Sequence, residues 1–183
     1  MAVLSEKKFG SSAKSVNILA EKLTSIDWYK KVGQEDEETK DLASELLNTL
    51  NVSHFHIEWI EKDKIVETLN KVSLSGSSLW DKLKDVPDQL KEKIDELNQG
   101  ELLKLVVDRV PEAVFHPAFE AAFEKFGGEE KVVQFFVGQA MYFATLICAA
   151  ELANESTLST QFIALLESGH VPIGPQGDII YII

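Results

Sequence analysis

The sequence has a single cysteine, Cys148, among its 183 residues. One cysteine cannot form a disulfide within the chain, and a lone cysteine in an apolar segment usually behaves as a small hydrophobic residue. The N-terminal residues, MAVLSEKKFGSSAK, also lack the apolar run of a secretory signal. These two absences predict a protein of the cytoplasm or of an equivalent reducing compartment.

Basic residues are scarce as well. The chain has 18 Lys and Arg against 30 Asp and Glu, which gives a net charge of −12. This charge repels phosphate backbones and anionic membrane surfaces, so it argues against nucleic-acid and membrane binding. It is compatible with a basic protein partner.

The chain lacks the short motifs that mark common catalytic and nucleotide-binding sites. It contains no P-loop, no G-x-G-x-x-G, no H-E-x-x-H, no C-x-x-C and no G-x-S-x-G. Cys148 has no activating neighbour in sequence, and its apolar surroundings favour a protonated, inert thiol. No residue is therefore assigned a catalytic role, and the sequence favours a non-enzymatic protein.

What the sequence does contain is a long uncharged stretch from Val132 to Ala150, VVQFFVGQAMYFATLICAA. At about 100° per residue its apolar side chains surround the whole helix, which is typical of a helix buried on every side. Gln134 and Gln139 interrupt the stretch and no cluster of basic residues flanks it, so we interpret it as a core helix and not as a membrane span. This predicts a mainly α, single-domain helical bundle around a buried central helix at about 129–153.

The rest of the chain predicts a flexible arm at 1–11 and one globular domain over 12–183. The Ser- and Gly-rich segment 73–78 is either an internal linker or a simple turn.

Pro111 and Pro117 are expected to divide the region before the central helix into short helical pieces. The same region has an aromatic stripe at helical spacing, a pattern typical of a core. The stripe consists of Phe115, Phe119, Ala122, Phe123 and Phe126.

Two segments have the composition of β-strands. Residues 52–60, VSHFHIEWI, alternate between apolar and polar, although a helix that begins near Trp59 would explain half of the same pattern. Residues 171–183 end in the β-branched and aromatic run IIYII after a turn. We expect a small C-terminal β-hairpin or strand pair at 171–183, which 52–59 could join.

His54, His56 and Glu58 are the candidate metal ligands. On a strand these alternate residues point to the same side. Two imidazoles and a carboxylate suit zinc or iron. The simpler alternative is a polar, solvent-facing strand edge, and a complete site would need His116, His170 or further carboxylates from elsewhere in the fold.

Two short motifs carry a family resemblance. Residues 27–33, DWYKKVG, and residues 166–174, LESGHVPIG, resemble stand-alone, uncharacterised bacterial proteins that have W-F/Y-x-x-V-G near the start and G-H-x-P-x-G near the end. The resemblance implies a bacterial cytoplasmic origin and one compact domain. It implies no activity.

We therefore predict a non-enzymatic cytoplasmic protein that binds or regulates a basic protein partner through an acidic surface. One alternative is a metal-binding protein or metal-dependent enzyme that uses His54, His56 and Glu58. Another is a small-molecule binder with an apolar pocket beneath the aromatic stripe. A homodimer is compatible with all three, and the apolar tail 179–183 is where we expect its contact.

Overall fold

The fold is that of a computed structural model, which describes residues 3–50, 55–74, 88–127, 129–176 and 179–183. Within these ranges lie seven α-helices, a short 3-10 helix and three strands. The helices are α1 (Glu6–Thr24), α2 (Glu37–Thr49), α3 (Ile65–Leu74), α4 (Asp88–Glu96), α5 (Gly100–Phe126), α6 (Glu130–Leu152) and α7 (Ser156–Glu167). The strands are β1 (His56–Trp59), β2 (Pro172–Gln176) and β3 (Ile179–Ile182), and the 3-10 helix is Lys62–Lys64.

Helix α6 is the centre of the fold. Every side chain from Phe136 to Ala150 is buried except Met141 and Tyr142, which are half-buried. The helix packs most extensively against α5, and it also contacts α1, α3, α4 and α7. The predicted helical bundle around a buried central helix is confirmed.

Helix α6 is also the one helix within the described ranges that is long and apolar enough to cross a membrane. However, 78% of its most apolar window is buried inside the protein. A helix whose apolar surface is already covered by other helices has little apolar surface left to contact lipid. It is therefore interpreted as a core helix.

Helix α5 runs without interruption through Pro111 and Pro117, so the prediction of short helical pieces is wrong. Each proline lacks the N–H that would bond the carbonyl four residues earlier, a defect that costs about 3 kcal/mol in a helix interior. Packing offsets this cost, because a row of residues spaced by four is buried where α5 contacts α6 and α1. The row consists of Leu102, Val106, Val110, Val114, Ala118, Ala122 and Phe126.

The three strands form one sheet in the order β1–β3–β2. Strands β2 and β3 are antiparallel, and β1 joins β3 in parallel, with Ile57 opposite Ile180. The predicted C-terminal strand pair and its pairing with 52–59 are thus confirmed for the strand residues, while residues 51–54 and the turn residues 177–178 lie outside the described ranges. Ile182 and Ile183 are fully buried within the chain, so the homodimer contact expected at 179–183 cannot use these two side chains.

In the segment predicted as a flexible arm at 1–11, the structure describes residues 3–11, and most of them are helical. Helix α1 already begins inside this segment and bends at Gly10, where φ is 62° and ψ is −138°. Val3 and Leu4 are buried ahead of the helix. The Leu4 N–H donates to Asn17 Oδ1 at 2.7 Å, and Asn17 Nδ2 donates to the Leu4 carbonyl at 3.0 Å. The side chain that holds Leu4 belongs to Asn17, 13 positions further along the chain. The local composition of the segment therefore does not predict this contact.

The predicted linker at 73–78 falls at the end of α3. The helix extends through Leu74, and residues 75–78 of the linker lie outside the described ranges. The proposed boundary inside the domain therefore stays a prediction.

Candidate interaction surface

Three phenylalanines form an exposed ridge on α5. Phe115, Phe119 and Phe123 expose 47%, 40% and 57% of their surface. Successive rings stack nearly parallel, with centroids 5.9 Å and 6.1 Å apart and interplanar angles of 19° and 22°. Because residues four apart lie on the same side of a helix, the three rings form one continuous apolar feature, the phenylalanine ridge.

The exposure of this ridge corrects the prediction of an aromatic core stripe. Of the five stripe residues, only Ala122 and Phe126 are buried. Two rows spaced by four run side by side here, and the row that contains Ala118 and Ala122 is the one in the core. Small side chains let neighbouring helices approach closely. Each phenylalanine that follows an alanine is rotated by about 100° and so lies away from the core.

The ridge continues toward the start of α5. Val107 and Pro111 precede Phe115 at the same four-residue spacing, and Val107 is 46% exposed. The largest contiguous apolar patch on a monomeric protein, typically about 300–600 Å², is often a functional contact surface. The alanine pair at 118 and 122 was the sequence signal that could have separated the buried row from the exposed one.

A row of charged side chains borders the phenylalanine ridge on one side. It consists of Asp108, Glu112, His116, Glu120 and Glu124, all of them exposed, and is called the acidic row. Each phenylalanine has a member of this row three residues before it, which makes them neighbours on the helix surface. His116 Nε2 lies 3.2 Å from Glu120 Oε1, and no other carboxylate of the row pairs with a cation of the described ranges.

Two basic side chains of α5 point away from the acidic row to backbone groups. Arg109 Nη1 donates to the Val3 carbonyl at 3.4 Å, and Lys125 Nζ donates to the Lys30 carbonyl at 3.1 Å. Both contacts fix the N-terminal region of the chain against α5. Lys104 is exposed one turn before the row begins, so the negative charge is concentrated from Asp108 to Glu124, where it attracts cations and repels anions.

The predicted metal ligands are only partly placed by the structure. His56 and Glu58 are exposed on β1, whereas Ile57 and Trp59 are half-buried, as the alternation predicts. His54 lies outside the described ranges. Within those ranges no group of three or more His, Cys, Asp or Glu residues is arranged to hold a metal ion. Zinc or iron binding by His54, His56 and Glu58 stays a prediction.

His170, a possible completing ligand, is engaged elsewhere in a buried junction. Its Nε2 lies 2.8 Å from the Gln34 carbonyl, which can only accept, so Nε2 carries the proton. Its Nδ1 lies 3.1 Å from Thr39 Oγ1 and 3.2 Å from Ser168 Oγ. Trp59 packs edge-on against the ring, with centroids 5.0 Å apart. Burial lowers the pKa of His170, which favours the neutral imidazole that this bonding requires.

The same junction brings together the two motifs of the family resemblance. The Lys31 N–H donates to the Gly169 carbonyl at 3.0 Å. A Cβ at Gly169 would lie 3.0 Å from the Lys31 nitrogen, and Gly169 has φ of 86°, so only glycine fits here without strain. The two motifs thus pack against each other and connect a segment near the start of the chain to one near its end. This contact gives them a role in holding the fold together.

Two further features bear on chemistry. Burial raises the pKa of the Cys148 thiol to about 12, so the thiol is protonated and unreactive at neutral pH. A groove of about 520 Å³ lies between α3 and the start of α6, with Val66, Leu69 and Phe135 in its lining. This groove is not the pocket expected beneath the aromatic stripe, because that stripe lies on α5.

Comparison with known proteins gives no relative. No protein-family model, no curated protein and no solved structure matches the chain.

Proposed function

We propose that the protein is a non-enzymatic binding or regulatory module of the cytoplasm that engages a basic protein partner through the acidic row of α5. The observation that supports the proposal is the composition of one exposed helix face. Four carboxylates lie there in a single row with one histidine, beside exposed apolar side chains.

The physical argument is electrostatic. A row of like charges on one face steers an oppositely charged partner toward that face and raises the association rate. The net charge of −12 adds a long-range field of the same sign. Salt screens such interactions, since the Debye length falls from about 8 Å at physiological ionic strength to about 3 Å at 1 M. Binding through this surface should therefore weaken steeply as salt is raised.

The experiment is affinity capture from source cells with the full chain and two charge-matched variants. The row variant carries Asp108→Asn, Glu112→Gln, Glu120→Gln and Glu124→Gln. The control variant carries Glu21→Gln, Glu35→Gln, Asp41→Asn and Glu45→Gln, which are exposed acidic residues outside α5. Both variants change the net charge equally.

We expect the parent and the control variant to capture the same basic protein and to release it in about 1 M salt. The row variant should bind this protein at least about tenfold more weakly. Equal capture by all three proteins would show that the acidic row is not the binding surface. Capture of no protein by the parent would contradict the proposed function itself.

A further inference from the structure

The phenylalanine ridge specifies the shape of the partner more closely than the charge does. We propose that Phe115, Phe119 and Phe123 insert as one row into an apolar groove of the partner, and that Lys or Arg side chains line the edge of the groove that faces the acidic row. This inference rests on the proposed function, because it assumes a protein partner for α5.

The dimensions of the ridge fit a groove. From Phe115 to Phe123 the helix rises by about 12 Å, at about 1.5 Å per residue. The stacked rings leave no polar gap along this length. Anchor residues at four-residue spacing on one helix face are how an amphipathic helix recognises a hydrophobic groove.

The ridge is asymmetric, which fixes the orientation of the partner. On one side it borders the acidic row, with Glu112, His116 and Glu120 next to the three rings. On the other side it borders Ala118 and Ala122, which are buried. The edge of the groove that faces the acidic row is therefore the edge at which charge complementarity requires Lys or Arg side chains.

A second copy of the chain is a poorer occupant. With each ring about half exposed, the three phenylalanines offer about 300 Å² together. A specific protein interface, whether with a second copy or with another protein, buries about 800 Å² on each partner, so further surface must contribute in both cases. Two convex ridges would meet along a line and bury only part of this area, whereas a groove covers both sides. Two chains of net charge −12 would also repel each other.

The test places a photocrosslinking residue on the ridge of the full chain. The probe is p-benzoylphenylalanine in place of Phe119, and the control is the same residue in place of Ile18, which is 57% exposed on α1. Both proteins are irradiated in lysate of the source cells, and the crosslinked peptides are sequenced by mass spectrometry. Capture of some protein is not sufficient, because the proposal concerns the composition of the crosslinked site.

The expected crosslink at position 119 joins a partner peptide that has apolar residues with Lys or Arg close by. It should be absent at position 18, and it should fall at least about tenfold when the row variant carries the probe. A crosslink to a second copy of the chain, to lipid, or to an apolar site without basic residues would overturn the proposal. Absence of any crosslink at 119 would overturn it too.

A second variant separates this proposal from the proposed function. Phe115→Ser, Phe119→Ser and Phe123→Ser together should preserve the circular dichroism spectrum, because the rings are exposed, and should weaken partner capture by about tenfold or more. If this variant binds as the parent does while the row variant does not, the acidic surface is correct and the groove is wrong. If the parent captures nothing, both proposals fail.

Discussion

At the residue scale, His170 shows how one side chain connects the end of the chain to two distant segments, residues 34–39 and strand β1. Its ring bonds the loop before α2 through Gln34, the first turn of α2 through Thr39 and the end of α7 through Ser168. Trp59 of β1 covers one side of it. A fully buried imidazole with both nitrogens bonded has one stable protonation state, the neutral one with its proton on Nε2.

The pKa of His170 predicts a specific pH dependence of stability. Burial lowers this pKa in the folded state, an effect only partly opposed by the hydrogen bond to Gln34 and by the charge of Asp36, and Lys31 lowers it further. As pH falls below the ordinary histidine value of about 6.5, the unfolded chain takes up the proton first. The stabilisation is therefore complete above about pH 6.5 and is lost as pH falls toward the folded-state pKa, by at most about 1.4 kcal/mol per pH unit for one proton.

The measurement compares the parent with His170→Gln, whose amide can still donate to the Gln34 carbonyl but does not titrate. We expect the variant to be less stable at neutral pH. Between pH 7 and 5 the parent should lose more free energy of unfolding than the variant, because acid effects on carboxylates are common to both. Parallel curves for the two proteins would show that His170 is not held neutral.

The sequence could identify His170 as part of a motif but not what it bonds. Gly169 directly before it and Pro172 two residues after it are local features that are visible in the sequence. Its partners Gln34 and Thr39 lie more than a hundred positions earlier and belong to an otherwise ordinary acidic segment. Side-chain bonds between such distant residues leave no periodic signal, so the junction could only be found in the folded chain.

At the scale of elements, α5 shows packing that overrides local preference. Two prolines lie inside its 27 residues, yet the helix is continuous. The carbonyl of Ala113 loses its bond because Pro117 has no N–H, and the proline ring crowds the same turn. The helix is retained because its row spaced by four is buried along the whole length.

This balance predicts that Pro117→Ala stabilises the protein. Alanine restores the N–H that bonds the Ala113 carbonyl and removes the ring, so the free energy of unfolding should rise by about 1–3 kcal/mol. Urea denaturation followed by circular dichroism measures the change. The matched control is Pro172→Ala at the start of the outer strand β2, where no helical bond is missing and the effect should be small. If Pro117→Ala instead lowered the free energy of unfolding, Pro117 would be required for the shape in which α5 packs against α6.

The elements differ in how well their sequences predict them. The alternation of His56, Ile57, Glu58 and Trp59 predicts a strand because a period of two is a local property, and β1 confirms it. The prolines of α5 predict a break in the helix because their cost in free energy arises within the local sequence. The burial that offsets this cost depends on contacts with α6 and α1, which the local sequence does not show. The prediction that Phe115, Phe119 and Phe123 lie in the core is wrong for a related reason. Two rows of α5 have the same four-residue spacing, and the helices that pack against α5 determine which row is buried.

At the scale of the whole molecule, α6 joins the parts into one cooperative unit. It contacts α1, α3, α4, α5 and α7. Phe136 stacks on Phe126 with centroids 4.4 Å apart and lies 5.4 Å from the Tyr29 ring. The Tyr29 hydroxyl donates to the Phe136 carbonyl at 2.6 Å, so the N-terminal region is bonded directly to the central helix. Since all these groups share one core, loosening it at any point should affect every element.

This architecture predicts large, global effects from cavities in α6. Phe136 and Ile147 are both fully buried. Phe136→Ala should cost about 3–5 kcal/mol and Ile147→Ala about 2–5 kcal/mol, because the surrounding helices relax only partly into the space left behind. Thermal denaturation followed by circular dichroism and by tryptophan fluorescence should give one coincident transition at a lower midpoint for each variant.

The matched control for both cavities is Ile18→Ala, which deletes the same kind of side chain from an exposed position on α1. It should change the free energy of unfolding by no more than about 0.5 kcal/mol. The contrast between Ile147 and Ile18 isolates burial, since the chemistry of the substitution is the same. If both α6 variants unfolded at the parent midpoint, the apolar surface of α6 would not be buried by the other helices, and its uncharged sequence would need another explanation, such as lipid contact.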